Sequence, residues 1–305
     1  MGEIAAAWPA KTREIQNHHM DSRVWNDFAF RDDDIIVSTY AKAGTTWTQQ
    51  IISQLIFQGD ESVAVNEMSP WWDMRVIPPE VRASVMAQTH RRVIKTHLPV
   101  DALVMSPKAK YVYVARDGRD VVWSLYNHHS HFKPETYDMF NGTPGLVGEP
   151  LPRPDPDILS YFRTWLERDG YPFWSFWENT ATWWAARNAP NVKLLHFNNL
   201  KADLAGEMRA MADFLEIEIP AARWPTLVEH CTFAHMKAHA DRYAPLGGMP
   251  WEGGGETFIN KGVNGRWRDV LTPEDVAAYE RRALAELGPD CAQWLAEGAL
   301  AKAPA

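Results

Sequence analysis

A β-branched run that stops at a small-residue loop and restarts as a helix leaves a chain few folds. Residues 34–57 read DIIVSTYAKAGTTWTQQIISQLIF. The first six form an apolar run of strand length, the pattern of a strand buried on both faces. A short loop around one lysine follows, and from Thr45 to residue 58 apolar residues recur at helical spacing. A strand that feeds a helix returns to its sheet by a crossover, so its neighbours are parallel. Three further runs read as strands: RVIKTH (92–97), YVYVAR (111–116) and VKLLHF (192–197). Helical periods cover 118–127, 173–188, 203–215 and 272–286, the last opening with the N-cap pattern Thr-Pro-Glu-Asp. The alternation predicts an α/β chain, a single domain over 1–305 with its core at about 30–290 and a central parallel sheet flanked by helices. Two stretches lack periodicity, 133–157 and 243–265; both are rich in Pro and Gly and are expected to be long loops of the kind that form lids or binding loops.

The loop at 40–46 has the chemistry of an anion cradle. A strand, a tight turn and a helix N-terminus present backbone N–H groups to negative charge. Gly44 permits close approach, Thr45 and Thr46 add hydroxyls, and Lys42 adds a mobile charge. The order is not that of a nucleoside-triphosphate loop, which needs Gly-Lys-Ser/Thr; here the lysine precedes the glycine. The formal net charge is −8, so such a site is a basic island on an acidic chain, and non-specific nucleic-acid binding is not expected.

Four segments, in order, resemble the sulfotransferases that use 3′-phosphoadenosine 5′-phosphosulfate (PAPS). The first is Tyr40-Ala41-Lys42-Ala43-Gly44-Thr45-Thr46-Trp47, similar to that family's 5′-phosphosulfate loop, with Ala41 and Ala43 where Pro and Ser are usual. The second, VIKTHLP (93–99), resembles the segment of the catalytic histidine and places Lys95 and His97 on one face of a strand. The third, VARDGRDVVWSLYNH (114–128), sets Arg116 and Ser124 at the separation that holds the 3′-phosphate in the family. The fourth, NKGVNGRWRD (260–269), supplies Lys261 and Gly262 to the same phosphate, with Asn260 where the family usually has arginine. EHCTFAHMK (229–237) resembles an adenosine-contacting segment, with Cys231 at a common threonine position and Phe233 near adenine. Phe197 falls where a tyrosine is frequent, and Trp47 is the residue expected to stack on adenine.

The resemblance implies a P-loop-like three-layer fold and transfer of a sulfuryl group from PAPS to a hydroxyl or amine, leaving adenosine 3′,5′-bisphosphate (PAP). His97 is the implied general base. Lys42 faces the leaving oxygen, and Lys95, Thr45 and Thr46 hold sulfuryl oxygens, with no metal required. The alternatives are a P-loop-type kinase or NTPase and a non-catalytic nucleotide-binding module. The acceptor walls fall on Trp71-Trp72, 128–157 and 239–258, whose aromatic content favours a small hydrophobic alcohol or phenol over a polysaccharide. Fifteen tryptophans serve mainly as core, with some as walls of an apolar pocket. The histidines at 128, 129 and 131 lack distant partner ligands, so no metal is expected there. Cys231 and Cys291 match no metal spacing and read as free thiols. The N-terminus has no signal-peptide pattern, and no apolar run reaches membrane length, so a cytoplasmic protein is expected. The family's dimer motif is poorly kept, with Arg268 and Thr272 fitting it but Pro273 and Ala277 not; either a monomer or a homodimer is compatible.

Overall fold

The computed structural model describes residues 9–298, so Gly2 and the start of the N-terminal stretch read for targeting signals lie outside the described residues. Four parallel strands, β1 (Ile35–Thr39), β2 (Val93–Thr96), β3 (Lys110–Ala115) and β4 (Val192–His196), form a sheet in the order β2-β1-β3-β4. The main helices are α1 (Thr45–Phe57), α2 (Gly118–Ser130), α3 (Pro134–Gly142), α4 (Ile158–Glu167), α5 (Phe176–Ala185), α6 (Leu204–Leu215) and α7 (Pro273–Glu297). This is the expected α/β architecture.

Strand period explains why both faces are covered. In β1 and β3, Ile36, Tyr111 and Tyr113 enter one buried cluster, while Ile35, Val37, Val112 and Val114 enter another. The first cluster is aromatic: the Tyr113 ring stacks on Trp183 of α5 with centroids 5.2 Å apart. The second is mostly aliphatic, filled by Ile51, Ile52 and Leu55 of α1 and Met208, Met211 and Leu215 of α6. The outer edge of β2 is covered by residues 70–72, where the Lys95 N–H donates to the Pro70 carbonyl (3.2 Å) and the Trp72 N–H to the Lys95 carbonyl (2.9 Å). That pairing blunts a free edge and sets Trp71 beside Lys95.

The predicted strands match within a residue or two, but the predicted loops do not hold throughout. The 133–157 stretch contains α3, opened by Pro134 at a position where the missing N–H costs nothing. The 243–265 stretch contains the short helix Gly254–Phe258. Both are stabilised by tertiary packing, Phe140 and Phe132 against Trp251, rather than by local period. Helix α4 was not expected at all. Helix α7 runs past residue 286 to Glu297 through a break at Gly288 (φ 71) and Pro289.

Helix α7 braces the start of α2: the Tyr279 hydroxyl accepts the Gly118 N–H at 2.9 Å, and Glu280 accepts from Arg119 at 3.2 Å. Its own start is a capping box in which Thr272 Oγ1 accepts the Asp275 N–H (3.2 Å) and the Asp275 carboxylate accepts the Thr272 N–H (3.1 Å). Thr272→Ala is expected to lower stability by about 1 kcal/mol in urea unfolding, the usual value of a lost cap.

Candidate active site

The carboxyl ends of all four strands deliver residues to one crevice. β1 runs into the Lys42 loop, β2 ends beside His97, β3 beside Arg116 and β4 beside Phe197. Strand order reverses between β1 and β3, which is where open parallel sheets bind ligands. A cleft of about 1180 Å³ opens there. Its wall includes Lys42, Gly44, Thr45, Thr46, Trp47, Lys95, His97, Arg116, Ser124, Phe197, Phe233, Asn260, Lys261 and Gly262. Two sequence-predicted residues are not on that wall. Ala43 and Cys231 are buried in the core, and Cys231 enters the site only by its carbonyl, which accepts the Trp47 indole N–H at 2.7 Å. Their side chains are small and apolar in character, and the two hydrophobic layers absorb them.

The loop that carries Lys42 is tight. Gly44 adopts φ 122, and a Cβ there would lie 3.2 Å from the Phe197 ring, so bulk is excluded by conformation and by space. Lys42 is also left-handed (φ 66), which turns its side chain away from the preceding strand direction. No side chain caps the N-terminus of α1, so its first N–H groups have no side-chain acceptor of their own. The Lys42 ammonium sits over the Phe258 ring (4.1 Å) and 3.4 Å from His128 Nδ1. Burial lowers its pKa to about 7, with Lys95 and Arg116 adding repulsion. Burial likewise lowers Lys95 to about 8, against the pull of Asp73.

His97 is fixed as a neutral ring with a defined tautomer. Its Nδ1 lies 2.6 Å from the Thr39 carbonyl, which can only accept, so Nδ1 carries the proton and Nε2 holds the lone pair. Burial, then the Lys95 charge, pushes its pKa well below the usual histidine value. Thr39 Oγ1 also shares a 2.5 Å hydrogen bond with Thr45 Oγ1, linking the residue that holds His97 to the Lys42 loop. The ring is clamped between Trp71, edge-on at 4.5 Å, and Trp174 at 5.5 Å. Trp71 is in turn held by Asp73, whose buried carboxylate accepts from Trp71, Trp25 and Thr96. Behind the histidine, Asn179 of α5 donates to the His97 carbonyl (3.0 Å) and accepts the Tyr113 hydroxyl (3.0 Å). Lone Asp73 and Asn179 carried no signal in the sequence, because neither belongs to a motif.

The second basic centre lies across the cleft. Arg116 donates through Nε (3.0 Å) and Nη2 (2.6 Å) to Asn264 Oδ1, and through Nη1 (3.2 Å) to the Lys42 carbonyl. One N–H then remains on each terminal nitrogen, a fork suited to two oxygens of one anion. Burial lowers its pKa to about 10, so it stays charged at neutral pH. Asn264 is itself oriented by donating to Asn198 Oδ1 (2.6 Å). The loop carrying Lys261 is held by Lys201, which donates to the Gly262 carbonyl (2.9 Å), and by Asp120, which accepts the Gly265 N–H (2.6 Å). A Cβ on Gly262 would approach the Phe233 ring to 2.6 Å. Arg119, by contrast, is paired with Asp117 (2.7 Å) and packs over Trp267. Asn264, Asn198 and Lys201 were missed by sequence reading; Asn264 sat in the quoted 260–269 segment, but its pairing with Arg116 depends on the fold.

The cleft wall also carries a large apolar set, Trp71, Met74, Val76, Phe132, Phe140, Trp174, Trp251 and Phe258. Trp123, Trp174 and Trp251 are at once core and wall, so both expected uses of tryptophan are present. His128 also faces the cleft.

Comparison with known proteins agrees with this geometry. A family model described as the sulfotransferase domain matches residues 32–288. A glycolipid sulfotransferase of Mycobacterium tuberculosis is 31% identical over 302 residues, covering 91% of this chain and 92% of the relative. Human sulfotransferase 2B1 is 30% identical over 259 residues, covering 82% of this chain and 65% of the relative. Among solved structures, mouse sulfotransferase SULT7A1 complexed with PAP superposes with a TM-score of 0.67 at 18% identity, over 90% of each chain. A retinol dehydratase in complex with retinol and PAP gives 0.66 at 22% identity, over 87% of this chain and 84% of the other.

Proposed function

The chain belongs to the sulfotransferase domain family and is a PAPS-dependent sulfotransferase, and from that premise we propose the roles of its cleft residues and the class of acceptor it takes. The kinase reading is set aside by the family match and by the order of Lys42 and Gly44. The residues fit a nucleotide with phosphates at both ends: an uncapped helix N-terminus with Lys42, Thr45 and Thr46 at one, and the Arg116 fork with Ser124, Lys261 and the Gly262 backbone at the other. Trp47, Phe197 and Phe233 wall the space between. When bound, the donor supplies a sulfuryl group whose bond to the 5′-phosphate oxygen breaks as an acceptor oxygen attacks.

His97 Nε2 takes the acceptor's proton. Lys42 offsets charge on the departing oxygen, and Lys95, Thr45 and Thr46 hold equatorial oxygens. Positioning and preorganised charge carry the rate, as in phosphoryl transfer. The observation that carries this reading is the His97 tautomer, a neutral base beside two desolvated lysines at the inner end of an apolar cleft. The apolar wall, together with the glycolipid sulfotransferase relative, supports an acceptor with a hydrophobic body, either an alcohol, a phenol or a glycolipid. Transfer of label from donor across such compounds, amines and soluble polysaccharides tests it. Preference for the polysaccharide overturns the acceptor assignment.

Both cysteines are buried free thiols, and no helix among the described residues is long and apolar enough to cross a membrane. A reducing, cytoplasmic setting is the compartment proposed. Either a monomer or a homodimer fits, since Thr272 is used here as a helix cap.

The lysine pKa values give a pH dependence with a fixed sign. In the free protein Lys42 and Lys95 titrate at about 7 and about 8. In the proposed complexes the 5′-phosphate oxygens raise Lys42, in PAP as in PAPS, and the sulfuryl oxygens of PAPS raise Lys95. Affinity is therefore full below the free-state values and is lost as pH rises toward the bound-state values. PAP affinity is expected to fall several-fold between pH 7 and 8. Calorimetry in buffers of different ionisation enthalpy should show proton uptake at pH 8; proton release would contradict it.

A further inference from the structure

Outside the cleft wall, three potential metal ligands converge. Glu61 follows the end of α1, His230 closes the helix Trp224–His230, and His235 lies in the helix Phe233–Ala238. One donor atom from each lies within 4.8 Å of the others. His235 Nε2 is 3.3 Å from Glu61 Oε1, and His230 Nε2 is 3.8 Å from Glu61 Oε2. A tetrahedral zinc with bonds near 2.1 Å spaces its donor atoms by roughly 3.4 Å.

The outer contacts are those of ligating groups. His230 Nδ1 is 2.9 Å from Gln54 Oε1, an acceptor, so its proton sits on Nδ1 and Nε2 is left free toward Glu61. His235 differs: its hydrogen bond joins Nε2 to Glu61 Oε1 at 3.3 Å, the contact that a metal ion would replace, and its Nδ1 lies 3.4 Å from Glu229 Oε1. The Tyr243 hydroxyl donates to Glu61 Oε1 at 3.0 Å. Metal-bound imidazoles direct their other N–H to a carbonyl or carboxylate in this way, which fixes tautomer and ring angle. All three ligands are partly buried, so the site is shielded yet reachable.

We propose that Glu61, His230 and His235 form a binding site for a divalent transition metal of the zinc type, with a fourth position open to water. Two imidazoles and one carboxylate disfavour magnesium and calcium, which take all-oxygen sets. The ion ties the end of α1 to the two helices that flank Cys231 and Thr232. It therefore acts as a clamp on that side of the molecule and takes no part in the transfer chemistry. The alternative is a cluster in which the two imidazoles simply contact the Glu61 carboxylate with no ion between them, and metal titration separates the two.

The test uses the full chain stripped with EDTA, freed of chelator and titrated with zinc chloride by calorimetry. One saturable equivalent per chain is expected, together with a rise in melting temperature on the order of 5 °C at a hundredfold excess over Kd. Cobalt chloride should give the visible absorption of a tetrahedral N/O site. His235→Ala and the shape-preserving Glu61→Gln should each lose saturable uptake and the melting shift, while His131→Ala keeps both. Absence of saturable uptake by the unsubstituted chain, or uptake that survives both Glu61→Gln and His235→Ala, overturns the site.

Discussion

His97→Ala is expected to lower sulfuryl transfer by about 10²–10⁴-fold, the range of a lost general base, while PAP affinity stays near that of the unsubstituted protein. The separation follows from geometry. His97 Nδ1 is bonded to the Thr39 carbonyl, and its ring is clamped by Trp71 and Trp174, so the free Nε2 faces the acceptor side. In the proposed reading the phosphates are held by other groups, the α1 N-terminus and the Arg116 centre. Stopped-flow or quenched single-turnover kinetics, with PAP calorimetry on the same sample, checks both halves. Near-normal turnover would remove His97 from the mechanism. A large loss of PAP affinity would mean that the ring acts in donor binding.

Arg116→Ala carries the second large effect. The guanidinium is buried, stays charged, and has one N–H free on each terminal nitrogen. A phosphate deprived of that fork loses charge-assisted hydrogen bonds worth about 1.5–3 kcal/mol each, so PAP affinity should fall by on the order of 100-fold. AMP, which lacks the 3′-phosphate, should bind the unsubstituted and substituted proteins alike. Arg116→Lys should recover only part of the loss, because a point charge does not replace a planar fork. Calorimetry with PAP and AMP on the three proteins measures this. An equal loss for both nucleotides would place Arg116 outside the 3′-phosphate contact.

The sheet was legible because its strands are buried on both faces and read as unbroken β-branched runs, RVIKTH and YVYVAR among them. The strand–loop–helix around Lys42 and Gly44 was legible because its signals, a β-branched run, a glycine and a helical period, are local. Helices α3 and Gly254–Phe258 were not, because their stability comes from Phe140, Phe132 and Trp251 meeting across the chain. The same physics hid the supports of the site. Asn179, Asn198 and Asn264 act through partners 66 to 148 residues away, Asp73 also bonds Trp25 and Thr96 from distant segments, and single polar residues leave no periodic trace. Cys231 misled in the opposite direction: its position in a recognisable segment put it at the nucleotide, but its side chain turned into the aliphatic layer and left only a carbonyl for Trp47.

The central claim is that this cleft transfers a sulfuryl group from PAPS to the hydroxyl of a hydrophobic acceptor, with His97 as the base. Single-turnover transfer from sulfur-labelled PAPS, run against long-chain alcohols, phenols, a glycolipid and a soluble polysaccharide, tests it most directly. The expected result is label on one or more of the hydrophobic acceptors, little on the polysaccharide, and almost none with His97→Ala. Tight donor binding without transfer to any acceptor, or efficient transfer by the His97→Ala protein, would contradict it.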